Sequence, residues 1–376
     1  MKHKWSIGLM TGTVNDGFID VAALKTDGHK IIEYGPFELI PYEDKNIQSK
    51  IIKTFKAAQK WQFENMEPSI FAETEKLISL EQSVAVNKFI HKFNIKREDI
   101  SCIGFHGLTV LHQAPLGNME GKTKQLGDGN LLSSLTKKTV IYNFRQNDLK
   151  NDGHGAPLTP IFHKLLKKKF KLKNIRFINI GGIVNITKIS DNENISGTDI
   201  GPGMCLIDRW IRQNTKKNYD ENGMIAQSGK VNKIALNQLL ENFYKKEKFL
   251  RKGVIQSFDT KYFDFSFVKD LSLEDGTATL TEFTAQIIIA ALKSLGNNEE
   301  KIILCGGGRK NNFLINKLKK INNGIQLIDE HGVDGDFVES QAFAYLAVRS
   351  YLNLPISFPE TTGVKKPCSG GIIIKY

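Results

Sequence analysis

One pattern occurs twice along this chain and restricts its fold more than any other feature: an apolar strand, a glycine-rich turn and a second apolar strand. The first copy is WSIGLMTGTVNDGFIDVAALKT, and the second is IRFINIGGIVNITKIS. Alternating apolar residues on both sides of such a turn predict a β-hairpin. Segments with helical periodicity follow each hairpin. The repetition predicts an α/β fold with two related lobes and a cleft between them, with one large doubly wound sheet as the alternative.

The length of the chain supports the same division. A chain of 376 residues is longer than one hydrophobic core usually serves. We expect an N-terminal lobe over residues 1–140, joined by the C-terminal tail from about 355 to 376, and a C-terminal lobe over residues 141–354. In the second lobe, ENISGTDIGPGMCLIDRWIRQNT predicts a short strand, a glycine loop and a helix.

Hydropathy and cysteine spacing exclude several classes of protein. No apolar run approaches the roughly 20 residues that a membrane-spanning helix needs. The apolar stretch in MKHKWSIGLMTGT breaks at Gly8, which is too early for a signal-peptide core, so we expect a cytoplasmic protein. The four cysteines are far apart and form no CxxC pair. This spacing argues against a disulfide framework or a zinc site and fits a reducing compartment.

The net charge of +12 at pH 7 raises the question of nucleic-acid binding. The densest basic run, KLLKKKFKLKN, lacks the glycines and paired aromatic residues of a single-strand binding surface. We interpret this run as a solvated helix end followed by a loop, and we expect no nucleic-acid partner. A positive field favours small anionic ligands instead, such as a nucleotide or an acidic sugar.

Three glycine turns, at residues 8–17, 181–182 and 306–308, are candidates for phosphate binding. Glycine lets backbone N–H groups approach phosphate oxygens, and such turns bind anions. Asp16 or Asp20 is placed to hold a magnesium-bound water. The glycines in IGLMTG and INIGGIVN turn between two strands, unlike a dinucleotide motif, and the P-loop pattern GxxxxGK[ST] does not occur.

The order of these turns resembles the actin/hexokinase/Hsp70 ATPase superfamily, in which two hairpins clasp the phosphates and a later glycine loop meets adenosine. In detail, the chain resembles the anhydro-N-acetylmuramic acid kinase family from end to end. The resemblance rests on motifs in family order and with family-like spacing: GLMTGTVNDGFID, GFHGLTVLH, QLGDGN, NFRQNDLKNDGHGAPLTPIFH, NIGGIVNIT, GTDIGPGMCLID, YDENGMIAQSGK, ATLTEFTA, CGGGRKNN and GDFVESQAFAYLAVR. Unrelated kinases of the superfamily share only the coarse glycine turns, so this set is specific.

The chain departs from the family pattern at a few places. Thr11 and Val14 replace the two serines of the usual first turn, and Asp152 and His154 stand where the family has glycine and glutamine. The segment GVIQSFDTKYF is a degenerate form of a segment that usually carries lysine, serine and glycine. The retained family residues include Asp16, Gly17, Asp199 and Glu339.

The resemblance implies a reaction of ATP, 1,6-anhydro-N-acetylmuramic acid and water, with Mg²⁺ as cofactor. The anhydro bond opens, the freed 6-oxygen receives the γ-phosphoryl group, and N-acetylmuramic acid 6-phosphate and ADP form, in peptidoglycan recycling. A positioned carboxylate base accelerates attack by water by about 10²–10⁴-fold. Phosphoryl transfer needs alignment and charge neutralisation, which glycine turns and Mg²⁺ supply. The implied partner is a small-molecule sugar, and homodimeric assembly is left open.

The same resemblance implies a role for each matching residue, with Asp199 as the general base. The residues implied to bind ATP are Gly12, Thr13, Val14, Asn15, Asp16, Gly17, Phe18 and Ile19 in the first turn, Gly181 and Gly182 in the second, Gly201 and Gly203 beside the base, and Gly306, Gly307, Gly308 and Asn311 near adenosine. The residues implied to bind the sugar are His106, Arg145 and Glu339. No side chain is assigned as a direct metal ligand.

Each of these side chains has a structural alternative. Asp199 is of a type that favours turns, and His106 suits a hydrogen-bonded structural position. Arg145 has Asp148 as a candidate ion-pair partner, and Glu339 is favourable at the positive end of a helix. Two functional alternatives also stay open: another sugar or polyol kinase of the superfamily, acting on an existing hydroxyl, and a non-catalytic actin-like ATP-binding protein.

Overall fold

The computed structural model describes residues 4–11, 17–115, 117–246, 257–258, 260, 263–294 and 300–376. The chain divides into two compact units. Unit 1 combines Met1–Leu166 with Phe337–Tyr376, and unit 2 is the contiguous stretch Lys167–Asp336. The chain therefore passes from one unit to the other twice. Within the described ranges, no helix is both long and apolar enough to span a membrane.

Unit 1 is built on a mixed sheet. Its strands are β1 (Trp5–Met10), β2 (Phe18–Thr26), β3 (Ile31–Pro41), β4 (Ile100–Phe105), β5 (Leu108–Gln113), β6 (Lys122–Leu126), β7 (Val140–Tyr142) and β13 (Ile372–Ile374). The sheet order is β13-β7-β4-β1-β2-β3. Strands β1, β2 and β3 pair antiparallel, while β1 with β4 and β4 with β7 pair parallel. Strands β5 and β6 form a separate hairpin.

The helices of unit 1 come from both ends of the chain. They are α1 (Ile47–Trp61), α2 (Ser69–Lys92), α3 (Gly129–Thr136), α4 (Gln146–Lys150), α11 (Val338–Tyr351) and α12 (Pro359–Thr362), and α5 (Pro160–Phe170) crosses the boundary to unit 2. Helix α11 lies directly on the sheet. A Cβ atom added to Gly8 would lie 1.8 Å from the Ser340 carbonyl oxygen, so only glycine permits this approach.

Unit 2 has its own sheet. Its strands are β8 (Ile175–Ile180), β9 (Ile183–Ile189), β10 (Ile195–Pro202), β11 (Lys301–Cys305) and β12 (Ile325–Leu327), in the order β10-β9-β8-β11-β12. Strands β8, β9 and β10 pair antiparallel, while β8 with β11 and β11 with β12 pair parallel. The helices are α6 (Cys205–Asn214), α7 (Met224–Ser228), α8 (Lys233–Lys246), α9 (Leu273–Ser294) and α10 (Asn312–Ile321). More than half of the residues of α9 are buried.

The two sheets repeat one topology. In each, three antiparallel strands starting from a glycine hairpin are followed by two parallel strands on the other side of the first strand. Unit 1 adds β13, antiparallel to β7, at the edge of its sheet. Each unit also has its own cluster of buried apolar residues. The prediction of an α/β fold with two related actin-like, ribonuclease H-like lobes is therefore confirmed, and the single doubly wound sheet is not observed.

The two units divide the chain at residues other than those expected. The expected lobes were 1–140 and 141–354, whereas the division falls after Leu166 and after Asp336. Two contacts explain the difference. Strand β7 continues the unit 1 sheet beyond residue 140 by pairing with β4. Helix α11 packs on β1, which assigns residues before 355 to unit 1 as well.

Candidate active site

Asp199 lies in strand β10, not in the loop that the glycines of GTDIGPGM predict. A β-bulge between Asp199 and Gly201 breaks the pairing with β9 and leaves Ile200 as the extra residue. The Asp199 side chain is 6% exposed, and its Oδ2 accepts a hydrogen bond of 2.9 Å from the Phe258 backbone N–H. Bulges are frequent beside active sites, where they redirect a side chain.

Asn185 lies directly opposite Asp199 in the β9–β10 pairing. Directly opposed residues of antiparallel strands share a face of the sheet, so the amide and the carboxylate are neighbours. The Asn185 Oδ1 is buried and has no hydrogen-bond partner in the described part of the chain. Sequence reasoning missed this residue. The motif NIGGIVNIT contains it, and its position in the strand that follows the Gly181–Gly182 turn was a signal that could have pointed to it.

Gly203 joins the end of β10 to the second glycine turn. Its N–H donates to the Gly182 carbonyl at 2.9 Å, and the Met204 N–H donates to the Gly181 carbonyl at 2.9 Å. A Cβ atom on Gly203 would lie 2.3 Å from the Gly181 oxygen. The two turns are therefore held together by backbone contacts that need glycine. The N–H groups of Gly203 and Met204 are engaged in this contact.

The Gly306–Gly308 turn follows β11 and presents one open side. Gly306 has φ +79°, a left-handed conformation that favours glycine. A Cβ atom on Gly308 would lie 2.3 Å from Ile180 Cγ2, whereas no atom lies within 4 Å of one placed on Gly307. Asn311 is the N-cap of α10, and its Oδ1 accepts from the Leu314 N–H at 3.0 Å. The turn is packed on one side and accessible at Gly307.

The first turn is only partly described. Gly12, Thr13, Val14, Asn15 and Asp16 lie outside the described residues. The last three residues of the predicted turn follow them. Gly17 has φ +99°, Phe18 begins β2, and Ile19 is buried within that strand.

His106 and Arg145 are brought into contact, as their shared assignment to the sugar requires. The Arg145 Nη2 lies 3.0 Å from His106 Nε2, and Nη1 donates to the Gly155 carbonyl at 2.8 Å. The imidazole Nδ1 lies 2.8 Å from the Gly107 carbonyl. Burial and the neighbouring Arg145 charge lower the pKa of His106 to about 3, so the ring is neutral. A neutral ring donates through Nδ1 and accepts from Arg145 through Nε2.

Gln125 extends this pair toward a polar cavity. Its Nε2 donates to the His106 carbonyl at 3.1 Å, and its Oε1 is buried without a partner among the described residues. The cavity has a volume of about 230 Å³. Its lining includes Gln125, Glu75, Asp128 and Thr123. Hydrogen-bonding groups with unused capacity in a cavity of this size suit a small polar ligand.

Other acidic residues have structural partners. Asp148 is 1% exposed and accepts from the Gly155 N–H at 2.6 Å and from the Thr362 hydroxyl at 2.5 Å. Asp128 caps α3, and Asp220 accepts from the N–H groups of Ile225 and Ala226. Burial raises the pKa of Asp220 despite these hydrogen bonds. Glu339 is half-buried in the first turn of α11, where a carboxylate is electrostatically favourable.

One departure from the family pattern has a conformational explanation. Asp152, which stands where the family has glycine, has φ +65°. Aspartate is among the residues that tolerate this left-handed region. His154 is half-buried, and burial lowers the pKa of its imidazole. The His154 backbone N–H donates to the Thr362 carbonyl at 2.7 Å.

The described ranges contain no cluster of side chains that would bind a metal ion by itself. They contain no group of three or more histidine, cysteine, aspartate or glutamate side chains suited to hold a metal ion. Mg²⁺ usually keeps several waters and uses one or two carboxylates together with substrate phosphates, so such a group is not required.

Comparison with known proteins identifies relatives over the full length of the chain. A family model described as anhydro-N-acetylmuramic acid kinase matches residues 4–376. A protein of that name from Pelagibacter ubique is 44% identical over 392 residues, covering 100% of this chain and 99% of the relative. Another from Rhizobium rhizogenes is 40% identical over 374 residues, covering 99% of both.

Solved structures show only a distant likeness. An activator of 2-hydroxyisocaproyl-CoA dehydratase from Clostridium difficile aligns with a TM-score of 0.42 and 13% identity, over 92% of this chain and 94% of the other. Component A of (R)-2-hydroxyglutaryl-CoA dehydratase from Acidaminococcus fermentans aligns with a TM-score of 0.43 and 10% identity, over 92% and 96%.

Proposed function

The chain belongs to the anhydro-N-acetylmuramic acid kinase family, and we propose that it opens and phosphorylates 1,6-anhydro-N-acetylmuramic acid with Asp199 as the general base. Relatives named for this activity cover the whole chain, which supports a kinase of peptidoglycan recycling rather than another sugar kinase or a non-catalytic ATP-binding protein. The observation that carries the residue assignment is the buried Asp199 carboxylate at the bulge of β10.

The proposed reaction consumes one water. The water oxygen bonds to C1 of the sugar as the bond from C1 to O6 breaks and its electron pair stays on O6. The water proton passes to the Asp199 carboxylate. O6 then bonds to the γ-phosphorus of ATP as the bond to the bridging oxygen breaks, and ADP leaves. The products are N-acetylmuramic acid 6-phosphate, ADP and a released proton.

The position of Asp199 supports the role of base. The Phe258 N–H holds Oδ2 and thereby fixes the direction of the carboxylate, which is proposed to accept a proton from water. Asn185, on the same face, has an acceptor oxygen without a partner in the described residues and an amide group of the kind that orients water. A base fixed by a backbone hydrogen bond loses little freedom on meeting its substrate, which favours proton transfer.

ATP is proposed to use the three glycine turns. The Gly306–Gly308 turn suits adenosine because Gly307 has open space around it. The Gly181–Gly182 turn and Gly203 form one backbone region joined by hydrogen bonds, and this region is assigned to the phosphate side by resemblance. Gly12–Asp16 remains assigned to the phosphates by resemblance alone. Mg²⁺, when bound, would neutralise phosphate charge, and we infer that it is held mainly by ATP and water.

The sugar is proposed to bind through His106, Arg145 and Glu339. The contact between His106 and Arg145 supports a shared role. Arg145 supplies a positive charge for the lactyl carboxylate, and the hydrogen bond to His106 orients the Arg145 guanidinium. Gln125 links them to the polar cavity, which we assign to the hydroxyl and acetamido groups. These residues belong to unit 1 and Asp199 to unit 2, so the reaction requires groups from both. The shared cleft and a homodimer stay predictions.

Product analysis in ¹⁸O-labelled water tests the reaction. With ATP and the anhydro sugar, we expect one ¹⁸O in the phosphorylated sugar, on C1, and none in ADP or in the phosphoryl group. An ordinary sugar kinase would instead give a phosphorylated product that keeps the anhydro bond and carries no label. A protein that only hydrolyses ATP would place the label in inorganic phosphate. Either result would refute the proposed function.

A further inference from the structure

Arg309 follows the Gly306–Gly308 turn and is almost fully buried. Its side chain is 4% exposed. The proposed reaction gives the Arg309 charge no role. A buried guanidinium needs partners for its five N–H donors. Those partners come from two different parts of unit 2, the glycine turn itself and the segment 329–336.

The segment 329–336 supplies carboxylates. Asp329 receives two hydrogen bonds from Arg309, from Nε at 2.7 Å and from Nη2 at 2.9 Å. Asp336 accepts from Nη1 at 2.7 Å. The Arg309 hydrogen bond lowers the pKa of Asp329. Burial by itself would raise the pKa of Asp336, but the hydrogen bonds from Lys310 and Arg309 outweigh burial and lower it. Both carboxylates are therefore charged partners of one guanidinium.

The fit of the segment around Arg309 is close. A Cβ atom on Gly335 would lie 2.3 Å from Arg309 Nε, so the backbone at this position touches the guanidinium. Asp336 is the last residue of unit 2, and Phe337 begins the second part of unit 1. The carboxylates thus fix the stretch of chain through which unit 2 continues into unit 1.

The same guanidinium also fixes the glycine turn. Its Nη1 donates to the Gly306 carbonyl at 3.2 Å, and the Arg309 backbone N–H donates to the same oxygen at 3.2 Å. Because a peptide unit is planar, a fixed Gly306 carbonyl also fixes the direction of the Gly307 N–H. Gly307 is the accessible residue of the turn. A ligand at Gly307 and the segment 329–336 therefore act on the same guanidinium.

We propose that Arg309 is a positioning residue that couples nucleotide occupancy of the Gly306–Gly308 turn to the connection at 329–336. This inference rests on the proposed function, in that the turn is taken to bind the adenosine part of ATP. When nucleotide orders the turn, the Gly306 carbonyl holds Nη1, and the shared guanidinium draws Asp336 into a fixed geometry. The ordered connection then restrains the chain where it enters unit 1.

Hydrogen exchange with ADP as the ligand tests the coupling. In the wild-type protein, ADP is expected to slow exchange both at 306–308 and at 329–337. The variant Asp336→Asn keeps the shape of the side chain but removes the ion pair with Nη1. We expect it to retain the ADP effect at 306–308 and to lose at least about half of the effect at 329–337. Lys310→Gln is the matched control, because exposed Lys310 forms an ion pair with the same Asp336 carboxylate and is not the guanidinium that bonds Gly306. This variant should retain both effects.

The outcomes distinguish a failure of the coupling from a failure of the adenosine assignment. Full ADP protection at 329–337 in Asp336→Asn, or none there in the wild type, overturns the coupling alone. No ADP protection at 306–308 in the wild type overturns the adenosine assignment and the coupling with it, while ¹⁸O incorporation still reports the reaction. An equal loss of ADP protection at 329–337 in Asp336→Asn and Lys310→Gln also overturns the coupling.

A kinetic readout distinguishes positioning from mere stabilisation. Arg309→Lys keeps a positive charge but loses the planar fork that bonds Asp329 and Gly306 together. We expect the KM for ATP to rise about tenfold, with the KM for the sugar nearly unchanged. A lower melting temperature with an unchanged KM for ATP would show a purely structural residue and contradict the proposal.

Discussion

Asp199 and Asn185 face each other on neighbouring strands, and their chemical difference assigns them different roles. A carboxylate accepts a proton at neutral pH, whereas an amide only donates and accepts hydrogen bonds. Asp199→Asn therefore keeps the shape but removes the base. We expect turnover to fall by about 10²-fold or more, with ADP affinity nearly unchanged in a calorimetric titration. Exposed Asp270→Asn is the control, and turnover of Asp199→Asn within a few-fold of the parent would make Asp199 structural.

Asn185→Ala tests the neighbouring amide. We expect a fall in kcat of about tenfold, because losing one water-orienting hydrogen bond costs about 1 kcal/mol or somewhat more. The Asn185 Oδ1 has no partner in the described part of the chain, so the urea midpoint should change little. Unchanged kcat together with a lowered midpoint would assign Asn185 to folding instead of catalysis.

Buried histidines give this protein a defined acid sensitivity. Burial lowers the pKa of His163 to about 3, and burial together with Arg145 lowers that of His106 to about 3. An unfolded histidine titrates near about 6.5, so the unfolded state binds more protons between these values. Stability is therefore complete above about pH 6.5 and falls as the pH drops toward about 3.

Urea unfolding at two pH values measures this effect. Between about pH 7.5 and about pH 5, each buried histidine should remove about 2 kcal/mol of unfolding free energy. His163→Gln should reduce the pH-dependent loss by that amount, whatever its stability at neutral pH. Replacement of exposed His29 should leave the loss unchanged. A His163→Gln protein with the same pH dependence as the parent would show that His163 is not buried in its neutral form.

At the scale of elements, hydrophobic periodicity located the hairpins and helices well, while the second half of strand β10 was misassigned as a loop. The glycines and proline of GTDIGPGM predict a loop, yet β10 continues through Pro202. Gly201 explains the difference: it has φ +147°, and a Cβ atom there would lie 2.9 Å from Ile287 Cγ2. Its glycine serves close packing within a strand, which local sequence does not distinguish from a turn.

The glycine turns make opposite predictions for two similar substitutions. Gly203→Ala places a Cβ atom 2.3 Å from the Gly181 oxygen, so we expect a loss of about 2 kcal/mol in unfolding free energy and of most activity. Gly307→Ala meets no atom within 4 Å, so its unfolding free energy should change by less than about 1 kcal/mol. If Gly307 borders adenosine, ADP should nevertheless bind more weakly to Gly307→Ala in a fluorescence titration. Normal ADP affinity would remove Gly307 from the site.

At the scale of the molecule, the repeated hairpin was sufficient to predict two related lobes, but not where they divide. The division depends on long-range pairing: β13 adds to β7, and α11 covers β1 at Gly8. The local sequence predicts neither contact, because the apolar pattern of a strand or helix does not show which other element it packs against. The His106–Arg145 pair was likewise assigned to one site by resemblance, while its hydrogen bond with Gln125 has no signal in the sequence and is visible only in the structure.

Small-angle scattering tests whether the molecule closes. The proposed sugar residues belong to unit 1 and the proposed base to unit 2, so the proposed reaction predicts that the two units approach each other when both ligands bind. Closure would also exclude bulk water from the phosphoryl group. We expect a smaller radius of gyration with saturating ADP and anhydro sugar than with neither ligand. An unchanged radius, under conditions where calorimetry shows both ligands bound, would contradict closure.

The division of the chain also determines the order in which the protein is finished during synthesis. Domains commonly fold as units while the ribosome extends the chain, with the N-terminal one first. Here unit 2 is contiguous and can fold once residue 336 has emerged. Unit 1 begins first but waits for α11 to cover β1 and for β13, formed by residues 372–374, to complete the sheet edge. The nascent unit 1 sheet therefore stays open until residues 372–374 have emerged, which makes this short strand the last segment that unit 1 needs to complete its sheet.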